Sequence, residues 1–144
     1  MRAVLATVVA MTATSCSPTP DQQYLAACET AIKAGLVAPS GYRRIDDVGV
    51  ANRIEMPSAA LSQLATRAGL KLSSADLNAL GEPNGPTPAV YQRLIEYDAP
   101  NAYNAPIRSN AWCFFFSIDG KPDSISQSRI AVVDRKDLSS VLKP

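Results

Sequence analysis

The sequence predicts an α+β fold: an N-terminal helix packed on a small antiparallel sheet, with a helical insertion between the first and second strands. Three observations carry this. Residues 21–36, DQQYLAACETAIKAGL, place Tyr24, Cys28, Ile32 and Leu36 at intervals of four, the period of one helix face. Residues 89–119, AVYQRLIEYDAPNAYNAPIRSNAWCFFFSID, read as two strands joined by an Asn/Pro-rich loop. Between 57 and 88 the pattern changes to two short helical segments, each closed by a glycine, Gly69 and Gly81.

The totals narrow the classes of function. A chain of 144 residues suits a single domain, and its 47% hydrophobic content is ordinary. Fourteen Lys+Arg nearly cancel 13 Asp+Glu, so no general field draws in nucleic acid or an anionic surface. The chain has no His. That removes the commonest general base, the Ser-His and Cys-His nucleophile pairs and the commonest metal ligand.

Residues 1–15 read as a signal peptide: Arg2, then an apolar run from Ala3 to Thr14, too short to span a bilayer. The run ends at Ala13-Thr14-Ser15-Cys16, which resembles the lipobox of bacterial lipoproteins. In that family the cysteine carries a diacylglycerol on its sulfur and becomes the mature N-terminus. A residue other than Asp after it, here Ser17, goes with sorting to the outer membrane. The alternatives are an ordinary secretory peptide cleaved near Ser15 and an N-terminal strand of a cytosolic protein. Three cysteines are odd for an exported chain. With Cys16 set aside for lipidation, Cys28 and Cys113 remain. They form one disulfide, worth about 4 kcal/mol for so long a loop, or stay as buried thiols.

The elements follow in order. Residues 16–20 are a short tether reaching on the order of 13 Å. Residues 21–144 form one domain. The first helix is capped by Thr19 or Asp21 and ended by Gly35 and Pro39. Tyr42 to Ile54 is the first strand, with Tyr42, Ile45, Val48 and Val50 inward and a bend or bulge around Asp46, Asp47 and Gly49. The insertion, 57–88, puts Leu61, Leu64 and Ala65 on one face of its first helix and begins its second at a Ser cap before Ser74. After the central hairpin, residues 119–123 turn, and Ser124 to Val133 is the last strand. Residues 134–142 end the chain as a short helix using Leu138, Val141 and Leu142.

Three patterns bear on chemistry. Leu61 to Leu80 resembles a helix-turn-helix, with Ala65 and Gly69 at the small-residue and turn positions. Its second helix carries Asp76 and no Lys or Arg, which argues against DNA reading. The carboxylate candidates are Asp46, Asp47, Glu96 and Asp98. Neighbouring strand residues point to opposite faces, so Asp46 and Asp47 do not act together. Asp98, before Ala99-Pro100-Asn101, suits an Asx-type turn. Along 111–118 the period of two puts Cys113 and Phe115 on one face and Trp112, Phe114 and Phe116 on the other. That second face is covered by the insertion, through Leu61, Leu64, Leu77 and Leu80, or else by a partner.

Tyr97-Asp98-Ala99, Asn101, Tyr103, Pro106, Arg108 and Cys113 resemble a YDAxNxYGxPxR…C signature of small exported bacterial proteins. Cys28, Leu36 and Pro39-Ser40-Gly41-Tyr42 are similar to the C…L..PSSY element that accompanies it. The resemblance implies an exported α+β domain with a Cys28–Cys113 disulfide and no catalytic residues. Asn104 stands where that signature has Gly, and Asn tolerates a positive φ better than most residues.

These residues point to a bacterial envelope lipoprotein, at the periplasmic face of the outer membrane or free in the periplasm. It acts as a binding or structural module without cofactor or metal. It is anchored through Cys16 and meets an envelope protein through Asp98, Asn101, Tyr103, Asn104 and Arg108. The alternatives are an inhibitor of an envelope hydrolase such as lysozyme and, further off, a DNA-binding protein.

Overall fold

The computed structural model describes residues 17–143, and within them the side chains other than those of residues 48–51. The signal peptide and Cys16 lie outside the described residues, as do the expected inward side chains Val48 and Val50. The described elements are α1 (Pro20–Ala34), β1 (Arg43–Glu55), α2 (Ser58–Arg67), α3 (Ser74–Leu80), β2 (Ala89–Pro100), β3 (Pro106–Ser117), β4 (Ile130–Asp134) and α4 (Leu138–Leu142). The strands form an antiparallel sheet in the order β1-β2-β3-β4. The class is α+β, with α1 on one face and the insertion on the other.

Helix α1 starts one residue earlier than its sequence pattern suggests, because Thr19 is the cap. The Thr19 hydroxyl accepts from the Gln22 amide at 3.3 Å, and the Gln22 side chain accepts from the Thr19 amide at 2.9 Å. This reciprocal pair satisfies two donors that a bare helix end leaves open, and Pro20 sits where no donor is needed. Pro20 therefore belongs to the helix rather than to the tether. The predicted stripe is the packed face: Tyr24, Cys28 and Ile32 are buried, with Leu25, Ala31 and Leu36 flanking them.

The two faces of the sheet have separate cores. Under α1 lie Tyr91, Ile95 and Tyr97 of β2, Cys113 and Phe115 of β3, and Ile130 of β4. Cys28 and Cys113 are joined by a disulfide, S–S 2.04 Å, that pins the middle of α1 to β3. The Tyr24 hydroxyl donates to the carbonyls of both Tyr91 and Cys113, at 2.9 and 2.8 Å. Burial pushes its pKa up, so it remains a donor. On the other face Phe114, Phe116 and Val90 pack beneath Leu61 and Ala65 of α2 and Val141 of α4. Phe114 and Phe116 are therefore core, closed by the insertion together with the C-terminal helix, while Trp112 is half-buried at its margin.

Four expectations need correction. Ile45 is 36% exposed rather than inward. Arg44 pairs with Tyr97 and Asp46 with Glu96, so Ile45 is the extra residue of a bulge. The bulge itself falls where Asp46, Asp47 and Gly49 suggest irregularity, and the register shifts again between Val48 and Asn52. Leu77 is 48% exposed and does not cover Phe114 or Phe116. The inward position of α3 belongs to Asp76, which shares a capping box with Ser73 and receives the Arg129 guanidinium at 2.6 Å. Burial raises the Asp76 pKa, but the hydrogen bonds from Ser73 and Arg129 outweigh it and hold the carboxyl below its usual range. The last strand begins at Ile130, not Ser124. Asp119 gathers the hydroxyls of Ser117 and Ser124 and the Lys121 amide, and residues 127–129 form a single 3₁₀ turn. Polar side chains thus supply local partners that a strand would have taken. Finally, the C-terminal helix is shorter than expected. A 3₁₀ turn over Arg135–Asp137 precedes it, and Leu142 is 52% exposed.

Candidate functional site

The predicted contact residues lie at one end of the β2–β3 hairpin. Pairing runs without a break from Ala89–Ser117 to Pro100–Pro106, so residues 101–105 close it. Asn101 organises this turn. Its side-chain oxygen accepts from the amides of Tyr103 and Ala105, both at 2.9 Å. Its own amide donates to the Ala105 carbonyl at 2.9 Å, and its carbonyl accepts from Asn104 at 3.0 Å. Asn104 has φ 60°, the left-handed region that closes the turn. The Tyr103 side chain is 91% exposed.

Asp98 departs from its expected role. It caps no turn, because it sits within β2 in a cross-strand row between Arg43 and Arg108. The Arg43 guanidinium donates to it at 2.7 Å, and Arg108 donates to it at 3.0 and 3.4 Å. Arg108 also lies 3.4 Å from Glu96. Hydrogen bonds from Arg108 and Arg43 hold the Asp98 carboxyl below its usual range. The row faces away from α1, beyond the part of the sheet that α2 and α4 cover. It fixes three strands in register at the end where the turn projects, and it leaves Asp98 ill-suited to take up a proton. Gly41 supports the same end. A Cβ there would come within 2.3 Å of the Pro100 ring, so this position requires glycine.

The structure therefore brings together Asp98, Asn101, Asn104 and Arg108 as a frame and sets Tyr103 out as its exposed tip. Cys28 and Cys113 lie apart from it, in the core. Asp46 and Asp47 face different surroundings, as their strand positions require. Among the described residues, no three His, Cys, Asp or Glu side chains converge to hold a metal ion.

One buried charged group has no counterpart in the sequence expectations. Arg93 is 2% exposed, on the α1 side of β2. It pairs with Asp21 of α1 and, at 3.3 Å, with Asp47 of β1, and its guanidinium lies 5.5 Å from the Tyr24 ring. Among the described residues, its Nε and Nη1 and one Asp47 oxygen find no hydrogen-bond partner. The signal was present in the sequence: Tyr91, Arg93, Ile95 and Tyr97 alternate, so an Arg occupies an inward position.

Asn104→Ala is expected to cost about 1–2 kcal/mol of stability, since Ala resists the left-handed region, whereas Asn104→Gly costs nothing. Urea denaturation of both variants checks this; equal losses would remove the conformational explanation.

Comparison with protein-family models, with curated proteins and with solved structures gives no match.

Proposed function

We propose that this chain is an exported, non-enzymatic binding module of the bacterial envelope, anchored by lipid at Cys16, that presents the 101–105 turn to a protein partner. The observation that carries the export half is the Cys28–Cys113 disulfide. Such bonds persist in oxidising compartments and are rare in the cytosol. Among the described residues no helix is long and apolar enough to cross a membrane, so attachment would fall to residue 16. Thr19 already caps α1, which leaves Ser17 and Pro18 as the link between the anchor and the folded domain. That link spans about 10 Å at most, so the N-terminal end of α1 rides against the bilayer surface.

The turn supports the binding half. A hairpin tip locked by Asn101 and carrying a fully projecting tyrosine loses little conformational freedom on contact, and tyrosine is a common anchor at interfaces. The same shape would suit insertion into the cleft of an envelope hydrolase, which is the alternative reading. Inhibition assays against lysozyme decide between the two.

Mass spectrometry of the membrane fraction is expected to find a chain starting at Cys16 with diacylglycerol on its sulfur. Cys16→Ala should release the domain from that fraction. A chain retaining Met1 would end the proposal.

A further inference from the structure

We propose that a recess at the start of α1 holds an alkyl chain, and that its occupant is one acyl chain of the diacylglycerol on Cys16. This rests on the lipidation of Cys16 proposed above and gives one of its chains a seat on the protein; it does not involve the 101–105 turn.

The recess lies between the first turn of α1, the sheet beneath it and the turn that follows β3. Its volume is about 360 Å³. Tyr24, Tyr91 and Phe115 form the floor. Their rings are continuous, with Phe115 centred 6.0 Å from Tyr24 and 5.8 Å from Tyr91. The floor is buried, so this is a narrow recess rather than an open face. Thr19, Pro20, Asp21 and Pro122 stand exposed around its mouth.

The hydrogen bonding of the lining decides the ligand's chemistry. The Tyr24 hydroxyl donates to the carbonyls of Tyr91 and Cys113. The Tyr91 hydroxyl donates to the Gly120 carbonyl at 2.8 Å. Thr19 accepts from the Gln22 amide, and Asp21 receives the Arg93 guanidinium. Pro20 and Pro122 have no backbone N–H to offer. The polar groups of the lining are thus turned to partners within the protein. A polar ligand seated there would lose water and gain little in return. A hydrocarbon chain has no such loss, and it covers aromatic and proline surface.

The path of the chain decides the occupant. The structure describes the protein from Ser17 onward, and Thr19 and Pro20 are already part of the mouth. Residue 16 therefore lies no more than about 10 Å along the chain from the recess. An acyl chain spans half the hydrocarbon core of a bilayer, about 15 Å, so a chain on the Cys16 sulfur can cross that gap and enter. The capping box fixes where α1 starts, and with it one wall of the mouth. The volume is at the small end of ligand pockets, about 300–1,000 Å³, so one chain enters and the other stays with the bilayer.

The test uses the full chain made in bacteria fed palmitate that carries a diazirine. Membranes are irradiated, and the protein is digested and mapped by mass spectrometry. The expected product has monomer mass and joins the Cys16 peptide, through its acyl chain, to peptides bearing Tyr24, Tyr91 or Phe115. Pro122→Trp, at an exposed position of the mouth, should fill the recess and abolish this product with the melting temperature unchanged. An undiminished product in that variant would place the chain outside the recess and overturn the proposal. Label absent from Cys16 would overturn it together with the lipid anchor. Label on Cys16 that cross-links only to phospholipid would overturn the seat and leave the anchor standing. The same floor peptides joined to phospholipid instead of Cys16 would give the recess to membrane lipid, and a product of dimer mass would give it to a second copy; either refutes the proposal.

Discussion

Replacing Cys28 and Cys113 together by Ala is expected to lower the unfolding free energy by about 4–5 kcal/mol. The two residues are 85 positions apart in the chain. Closing so long a loop removes much of the freedom of the unfolded chain, and the chain-entropy relation gives this magnitude. Single domains have only about 5–15 kcal/mol to lose, so the reduced protein should stand near its unfolding threshold. The cost falls mainly on α1, whose buried stripe is held to the sheet at its middle by this bond. Guanidinium denaturation of the oxidised protein and the double variant measures the difference. A gap under about 1 kcal/mol would mean that the unfolded chain is compact enough without the link.

The second large effect is expected at Arg93. Arg93→Ala should cost about 3–5 kcal/mol near neutral pH, since it strips the paired cation from a half-buried carboxylate and leaves only the more distant Arg44. The loss should depend on pH. Burial already raises the Asp47 pKa, with Asp21 and Asp46 adding to the rise, while Arg93 and Arg44 pull it down. Without Arg93 the rise is larger. A carboxyl whose folded pKa lies above its unfolded one favours folding when protonated, and that advantage is lost as pH rises through the folded value. The deficit of Arg93→Ala relative to the native protein should therefore be smaller at pH 4 than at pH 8. Chemical denaturation at both values checks the sign. A pH-independent deficit would assign the loss to the Arg93 guanidinium over the Tyr24 ring rather than to its pairing with Asp47.

Most of the architecture was legible because it rests on period and punctuation. The spacing of Tyr24, Cys28 and Ile32 gives α1, and the alternation through β2 and β3 gives the hairpin and its two faces. The glycines at 69 and 81 end α2 and α3 as expected. The failures occur where a register or a local polar contact decides. Ile45 looks apolar and inward until a bulge offsets it. Ser124–Ser126 lies in a segment ending in an apolar run, but Asp119 holds its start as a turn. Leu77 has the right composition for the core, yet Asp76 and Arg129 take the inward side of α3. In the candidate site, the roles of Asn101 and Asn104 follow from side-chain chemistry alone. Arg108 binding Asp98 is likewise a contact that side-chain chemistry offers; adding Arg43 to complete the row required the register of β1 on β2, which the sequence does not contain.

The insertion has one further consequence. Glu55 and Ala89, the residues that bracket it, are paired across β1 and β2, and the Met56 amide donates to the Pro88 carbonyl at 3.2 Å. The chain therefore leaves the sheet and returns to it at a single rung of the ladder. In engineering terms, residues 56–88 are a cassette whose ends already meet. Another segment with matching ends would preserve the strand register, provided it brought apolar side chains to replace Leu61 and Ala65 over Phe114 and Phe116. The sheet, disulfide and hairpin turn could thus remain constant across a lineage while the surface over that face was rewritten.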